Sequence, residues 1–125
     1  MSSLSSTPNI YPYQNEPIWS KSEKAVARRV FDAALKRELL DVIQKTKQRA
    51  SQIKDPADVW KLERYLTQCR KEINRRYEFR ASRLTQVFGI LLYERRITVE
   101  QLRGLREEKM KKIRACAKVL SEEAA

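Results

Sequence analysis

The stretch DPADVWKLERYLTQCRKEI, Asp55 to Ile73, decides how this chain folds. Asp55 is a good N-cap residue, Pro56 suits the first helical position, and Asp58 places an acid in the first turn. Beyond them Val59, Leu62, Leu66, Cys69 and Ile73 recur at spacings of three and four, as in coiled-coil packing over two heptads. At about 100° per residue these five fall on one face of a helix. Trp60, Glu63, Thr67 and Arg70 form a second stripe, displaced by roughly a quarter turn. One stripe packs on a neighbouring helix of the same chain, and the adjacent one faces something else. Trp and Arg are enriched where proteins meet, because each combines a large contact area with a polar handle. Helical geometry alone leaves two readings of Trp60 open: a wider intramolecular core, or a surface for another chain.

Working back from Asp55, Val30, Leu35, Leu39, Val42, Ile43, Thr46, Ala50 and Ile53 predict a helix over 21–53. Ser20 and Glu23 form a capping box at its start. At 1.5 Å per residue that helix is about 45 Å long, and a helix of that length usually needs a second long helix, often from another chain. The few residues between 53 and 56 imply that the second helix returns antiparallel to the first. Residues 1–18, rich in Ser and Pro, read as a disordered or loosely docked extension; the alternative is a peptide arm carrying Tyr11, Tyr13 and Trp19 onto a partner.

Working forward, the pattern weakens near Ala81–Ser82. Either Ser82 caps a new helix or the second helix bends without stopping. Leu84 to Glu94 is the most apolar segment and reads as the core helix of a small head. Thr98 and Gln101 form a second capping box, predicting a last helix over about 99–119, with Gly104 either weakening it or permitting close packing. The expected organisation is all-α: a disordered extension over 1–18, a long-helix stalk over 19–80, a helical head over 81–120 and a disordered tail over 121–125.

Composition narrows the chemistry. The 125 residues hold 27 Lys and Arg against 16 Asp and Glu, a net charge of +11, which favours acidic partners. Histidine is absent, which removes imidazole catalysis and His-containing metal sites, and Cys69 and Cys116 have no metal-binding spacing. No phosphate-binding glycine loop or HExxH motif occurs. A contact protein without enzymatic activity, metal or cofactor is expected. Residues 1–20 lack a basic, then apolar, leader pattern, so a cytoplasmic location is expected. Two further readings of the charge are a basic helical nucleic-acid-binding regulator and an adaptor for another acidic protein.

Several words of the chain resemble the fluorescence recovery protein family of cyanobacteria. They are W-S-x-x-E at Trp19–Glu23, RVFDAALKRELLDVI at Arg29–Ile43, ASQI at Ala50–Ile53, D-x-W-K-L at Asp58–Leu62, and R-x-E-I at Arg70–Ile73 with Tyr77. VFxxLxxE at Val87–Glu94 and EEKMKKI at Glu107–Ile113 follow more loosely, so the likeness spans about Pro17 to Ile113.

The resemblance implies an all-helical homodimer joined through a long antiparallel hairpin stalk, with a small head at each end. It further implies binding to the C-terminal domain of photoactivated orange carotenoid protein, or a paralogue. The bound partner would return faster to its inactive orange form, ending phycobilisome quenching near the thylakoid surface. In the family the Trp and Arg at the positions of Trp60 and Arg70 belong to a dimer-interface cluster tied to activity. Together with the second stripe, this makes Trp60, Glu63, Arg64, Leu66, Thr67 and Arg70 the expected dimer interface. Phe88, Lys109 and Lys112 are the expected partner contacts. Glu63 and Arg64 stand where the better-known family members carry His and Asp, and Gln86 where the family can carry an aromatic.

Overall fold

The computed structural model describes residues 18–125; the expected extension, except Ile18, lies outside them. Four α-helices follow in order: α1, Lys21–Ser51; α2, Pro56–Arg76; α3, Leu84–Tyr93; and α4, Glu107–Ala124. A 3-10 turn, Glu100–Leu102, precedes α4. The all-α expectation holds, and the predicted hairpin of α1 and α2 forms with its turn at residues 52–55. Asp58 secures that turn by accepting from the backbone N–H of Lys54 at 2.9 Å and of Asp55 at 3.4 Å.

Two contacts fix the antiparallel register of the hairpin. The Arg49 guanidinium lies 4.1 Å from the Tyr65 ring centroid near the tip, and Glu38 pairs with Arg76 at 2.8 Å near the base. The side of α2 turned toward α1 is half-buried and carries Leu62, Tyr65, Cys69, Ile73 and Arg76. Val59 and Leu66, expected on that seam, are instead 44% and 38% exposed. Tyr65 takes the inner position because its ring offers the Arg49 stem and guanidinium a cation–π surface.

The head draws its core from both ends of the chain. Ala27, Val30, Phe31 and Ala34 of α1 pack with Leu84, Val87, Phe88 and Leu91 of α3 and with Met110 and Ile113 of α4. Trp19 joins this core, and its indole Nε1 donates to the Ala81 carbonyl at 3.2 Å. The loop after α2 is held by Phe31, whose ring meets Tyr77 and Phe79 edge-on at 5.4 and 5.1 Å. α3 and α4 approach closely at Gly89, where a Cβ would stand 2.5 Å from that of Cys116. Burial in this contact pushes the Cys116 thiol pKa up.

Three sequence expectations change here. Ser82 does not cap α3; Arg83 is its N-cap residue and makes no side-chain capping bond. The Thr98–Gln101 capping box forms, with Thr98 N donating to Gln101 Oε1 at 2.8 Å, yet it opens only the 3-10 turn. Gly104, at φ 110°, turns the chain out of helical conformation beneath Val26, so α4 starts anew at Glu107. At its other end α4 continues to Ala124, through most of the segment expected as a tail.

Glu23 holds the start of both α1 and α4. Its carboxylate closes the predicted capping box by accepting from Ser20 N at 3.0 Å, while Ser20 Oγ accepts from Glu23 N at 3.1 Å. It also accepts from Arg106 N at 2.9 Å and from Lys109 Nζ at 3.3 Å. Burial alone would raise its pKa, but the bonds from Ser20, Arg106 and Lys109 outweigh that and hold it at about 2. A carboxyl depressed on folding contributes stability that is present above its ordinary value of 4.5 and is lost as pH falls toward about 2. The contribution is of order 3 kcal/mol. Urea unfolding followed by circular dichroism between pH 6 and pH 2 is therefore expected to show a steep acid loss. Glu23→Gln, already destabilised at pH 6, is expected to flatten that pH profile.

Candidate functional site

The hairpin leaves one flank uncovered. On α1 the seam toward α2 is marked by Leu35, Glu38, Val42 and Thr46, and the exposed Leu39 and Ile43 stand roughly a quarter turn from it. On α2 the exposed Val59 and Leu66 stand roughly a quarter turn from their own seam, in the same sense. On two antiparallel helices, rotation in the same sense leads to the same side. The four apolar side chains therefore share one flank.

That flank carries two shallow grooves. Val59, Leu62, Glu63, Leu66, Thr67 and Arg70 line the one on α2. Asp32, Leu35, Lys36, Leu39, Leu40 and Ile43 line the one on α1. Of the six residues expected to form a surface for another chain, Glu63, Leu66, Thr67 and Arg70 come together in the α2 groove. Trp60 and Arg64 are not among its lining. Trp60 is 61% exposed, so it does not widen the core of this chain.

The polar residues of the groove are positioned but not neutralised. Thr67 Oγ1 donates to Glu63 Oε2 at 3.1 Å, one helical turn apart, which holds the carboxylate along the helix. Among the described residues neither Arg64 nor Arg70 pairs with a carboxylate within 4 Å. The α2 groove thus presents Val59, Leu62 and Leu66 beside one carboxylate, Glu63, and one guanidinium, Arg70.

Two of the three expected partner contacts are ruled out by burial. Phe88 is fully buried at the centre of the head core, where α3 meets α1 and α4, so no partner reaches its ring. Lys109 is equally buried: its ammonium lies between Glu23 and Glu108, at 3.3 and 2.7 Å, and 5.3 Å from the Trp19 ring centroid. Its charge serves the fold, because an ammonium without water needs carboxylates around it. Lys112 alone of the three is exposed.

Leu39 and Ile43 of the flank belong to the same run of apolar spacings that predicts α1. The signal that separates them is a change of phase along α1. Ala27, Val30, Phe31 and Ala34 cluster on one side, while Leu39, Leu40 and Ile43 lie roughly half a turn away. A helix whose apolar stripe changes sides midway serves two different neighbours.

A family profile described as "Photoprotection regulator fluorescence recovery protein" matches residues 19–117. The chain is 36% identical over 104 residues to the fluorescence recovery protein of Synechocystis sp., a match that covers 83% of this chain and 95% of that relative. Its fold is similar, with a TM-score of 0.77, to the solved fluorescence recovery proteins of Fremyella diplosiphon, 33% identical, and Synechocystis sp. PCC 6803, 37% identical. Each of these matches covers 81% of this chain and 99% of the other.

The opposite environments of the two lysines have a measurable result. Lys109→Ala leaves Glu23 buried without its ammonium and is expected to cost about 3–5 kcal/mol. Lys112→Ala is expected to stay within about 0.5 kcal/mol of the parent. Chemical denaturation at pH 7 distinguishes them, and equal losses would refute the assignment of Lys109 to the fold.

Proposed function

Because the chain belongs to the fluorescence recovery protein family of photoprotection regulators, we propose that it acts by binding photoactivated orange carotenoid protein or a paralogue. It accelerates the partner's return to the inactive orange form and so ends quenching of the phycobilisome. The observation that carries this reading is the family match across residues 19–117, which takes in the hairpin and nearly all of the head. No reaction is required of this chain. To speed the return, it must bind the transition state between the two partner conformations more tightly than it binds the photoactivated one.

A second copy of the chain occupies the uncovered flank in this reading. Leu39, Ile43, Val59 and Leu66 are too many exposed large apolar side chains on one short hairpin to stay in water without cost. Covering each completely is worth about 1.5–3 kcal/mol, less the share already buried. Across a two-fold axis, Glu63 of one copy supplies a carboxylate to Arg64 or Arg70 of the other, and the Trp60 rings border the contact. The exposed Lys112 on the head remains for an acidic surface of the carotenoid protein.

Two measurements test these statements separately. Added to photoactivated orange carotenoid protein in darkness, the chain is expected to speed the red-to-orange absorbance recovery; no acceleration with any paralogue would refute the proposed activity. Light scattering reads the association state. Leu66→Glu is expected to halve the particle mass, and Trp60→Ala to weaken association about tenfold or more. If both variants keep the parent mass, the flank is not where two copies meet.

A further inference from the structure

Four charged side chains converge where the hairpin joins the head. Arg76, the last residue of α2, places Nη1 2.8 and 3.0 Å from the two Glu38 carboxylate oxygens on α1. The same nitrogen is 3.3 Å from Glu94 Oε1 at the end of α3. Arg96 closes the ring, with Nε 3.0 Å from Glu94 and 3.5 Å from Glu38. The Glu38 and Arg76 side chains are nearly buried, and Glu94 and Arg96 form the wetter edge. Charges balance within the group, two against two.

Two local irregularities occur at the same place. Arg95, between Glu94 and Arg96, has φ 61°, a left-handed conformation costing a residue with a side chain about 1–2 kcal/mol. It closes α3 with paired bonds, Arg95 N to Leu92 O at 3.1 Å and Arg96 N to Leu91 O at 2.8 Å. That turn brings Arg96 back toward Glu94 and Glu38. The second irregularity is the buried hydroxyl of Tyr77, next in sequence to Arg76, which among the described residues has no hydrogen-bond partner although Glu38 is its neighbour.

Stability alone does not account for such a cluster. Buried ion pairs are often no more stabilising than well-packed apolar side chains of similar volume, but they are strict about direction. Direction is what this junction lacks otherwise. No residue of α2 is fully buried, so the groove-bearing helix has few rigid contacts to the head besides Arg76 and the Tyr77–Phe79 loop.

We propose that the Glu38–Arg76–Glu94–Arg96 ring is a positioning joint that fixes the apolar flank of the hairpin relative to the head. A second copy on the flank and a partner on the head are thereby held in one geometry. The functional half of this inference rests on the proposed activity; the orientational half does not.

Nitroxide labels at Lys61→Cys on α2 and Lys118→Cys on α4, both exposed positions, read the orientation by pulsed electron paramagnetic resonance. Cys69→Ala and Cys116→Ala remove the native thiols, and excess unlabelled chain suppresses distances between copies. The parent is expected to show one narrow distance. The double variant Glu38→Leu/Arg76→Met removes the ring without leaving a lone buried charge, and Arg96→Met loosens only its edge. Both are expected to broaden the distribution about twofold or add a second distance, with helix content kept. If the double variant fails to fold, Arg96→Met decides. A distance as narrow as the parent's in every folded variant overturns the joint. In the dark-recovery assay, a parent that accelerates recovery is expected to lose about tenfold in rate in these variants at unchanged dimer mass. A parent that does not accelerate recovery refutes the proposed function, while the distances still decide the joint.

Discussion

α1 runs without a break for 31 residues through two packing environments, and the rest of the molecule is arranged around that constraint. Its first half is the wall of a small helical core; its second half is one limb of a hairpin whose far side meets solvent. A single rigid helix cannot turn its stripe, so the sequence changes the side on which the apolar residues stand. Ala27, Val30, Phe31 and Ala34 look into the head, and Leu39 and Ile43 look toward the open flank. Everything that binds α1 into the head must therefore act in its first five turns. Glu23 does so at the start, by joining the N-termini of α1 and α4, and Glu38 does so where the head ends.

The two bodies are stabilised by different physics. The head is an ordinary close-packed core, with α3 and α4 in contact at Gly89 and aromatic edges closing the loop after α2. Its buried charges are compensated locally, Lys109 by two carboxylates and Glu23 by backbone N–H groups as well as the ammonium. The hairpin has little of this. It relies on helix caps, on a cation–π contact at its tip and on ions at its base, and leaves large apolar side chains in water. Such an element leaves apolar surface uncovered in the single chain, which belongs to a family of photoprotection regulators.

Much of this was legible in the residues. Capping boxes at Ser20–Glu23 and Thr98–Gln101 and the Asp55–Pro56 restart are local signals, readable because hydrogen bonds over three residues depend on nothing distant. The apolar run of α3 was equally plain. The shape of the head was not, because it turns on backbone angles at Arg95 and Gly104 and on Gly89 meeting Cys116 in another helix. Charged residues are the least legible. Lys109 looks like any surface lysine until Glu23, 86 residues away, is brought beside it, and Arg76 finds Glu38 across 38 residues. On the candidate surface, Trp60 and Arg70 of the predicted stripe are exposed on α2. The assignment of Val59 and Leu66 to the inner seam failed because Tyr65 outcompetes them for the space beside Arg49.

The two tryptophans of the chain fall one in each body. Trp19 is enclosed in the head beneath an ammonium, and Trp60 stands in water on the hairpin. Their emission is therefore separable: an indole shielded from solvent beside a positive charge, and an indole hydrated until some surface covers it. Without any added dye, the protein carries one optical probe of whether its head is folded and another of whether its hairpin is occupied.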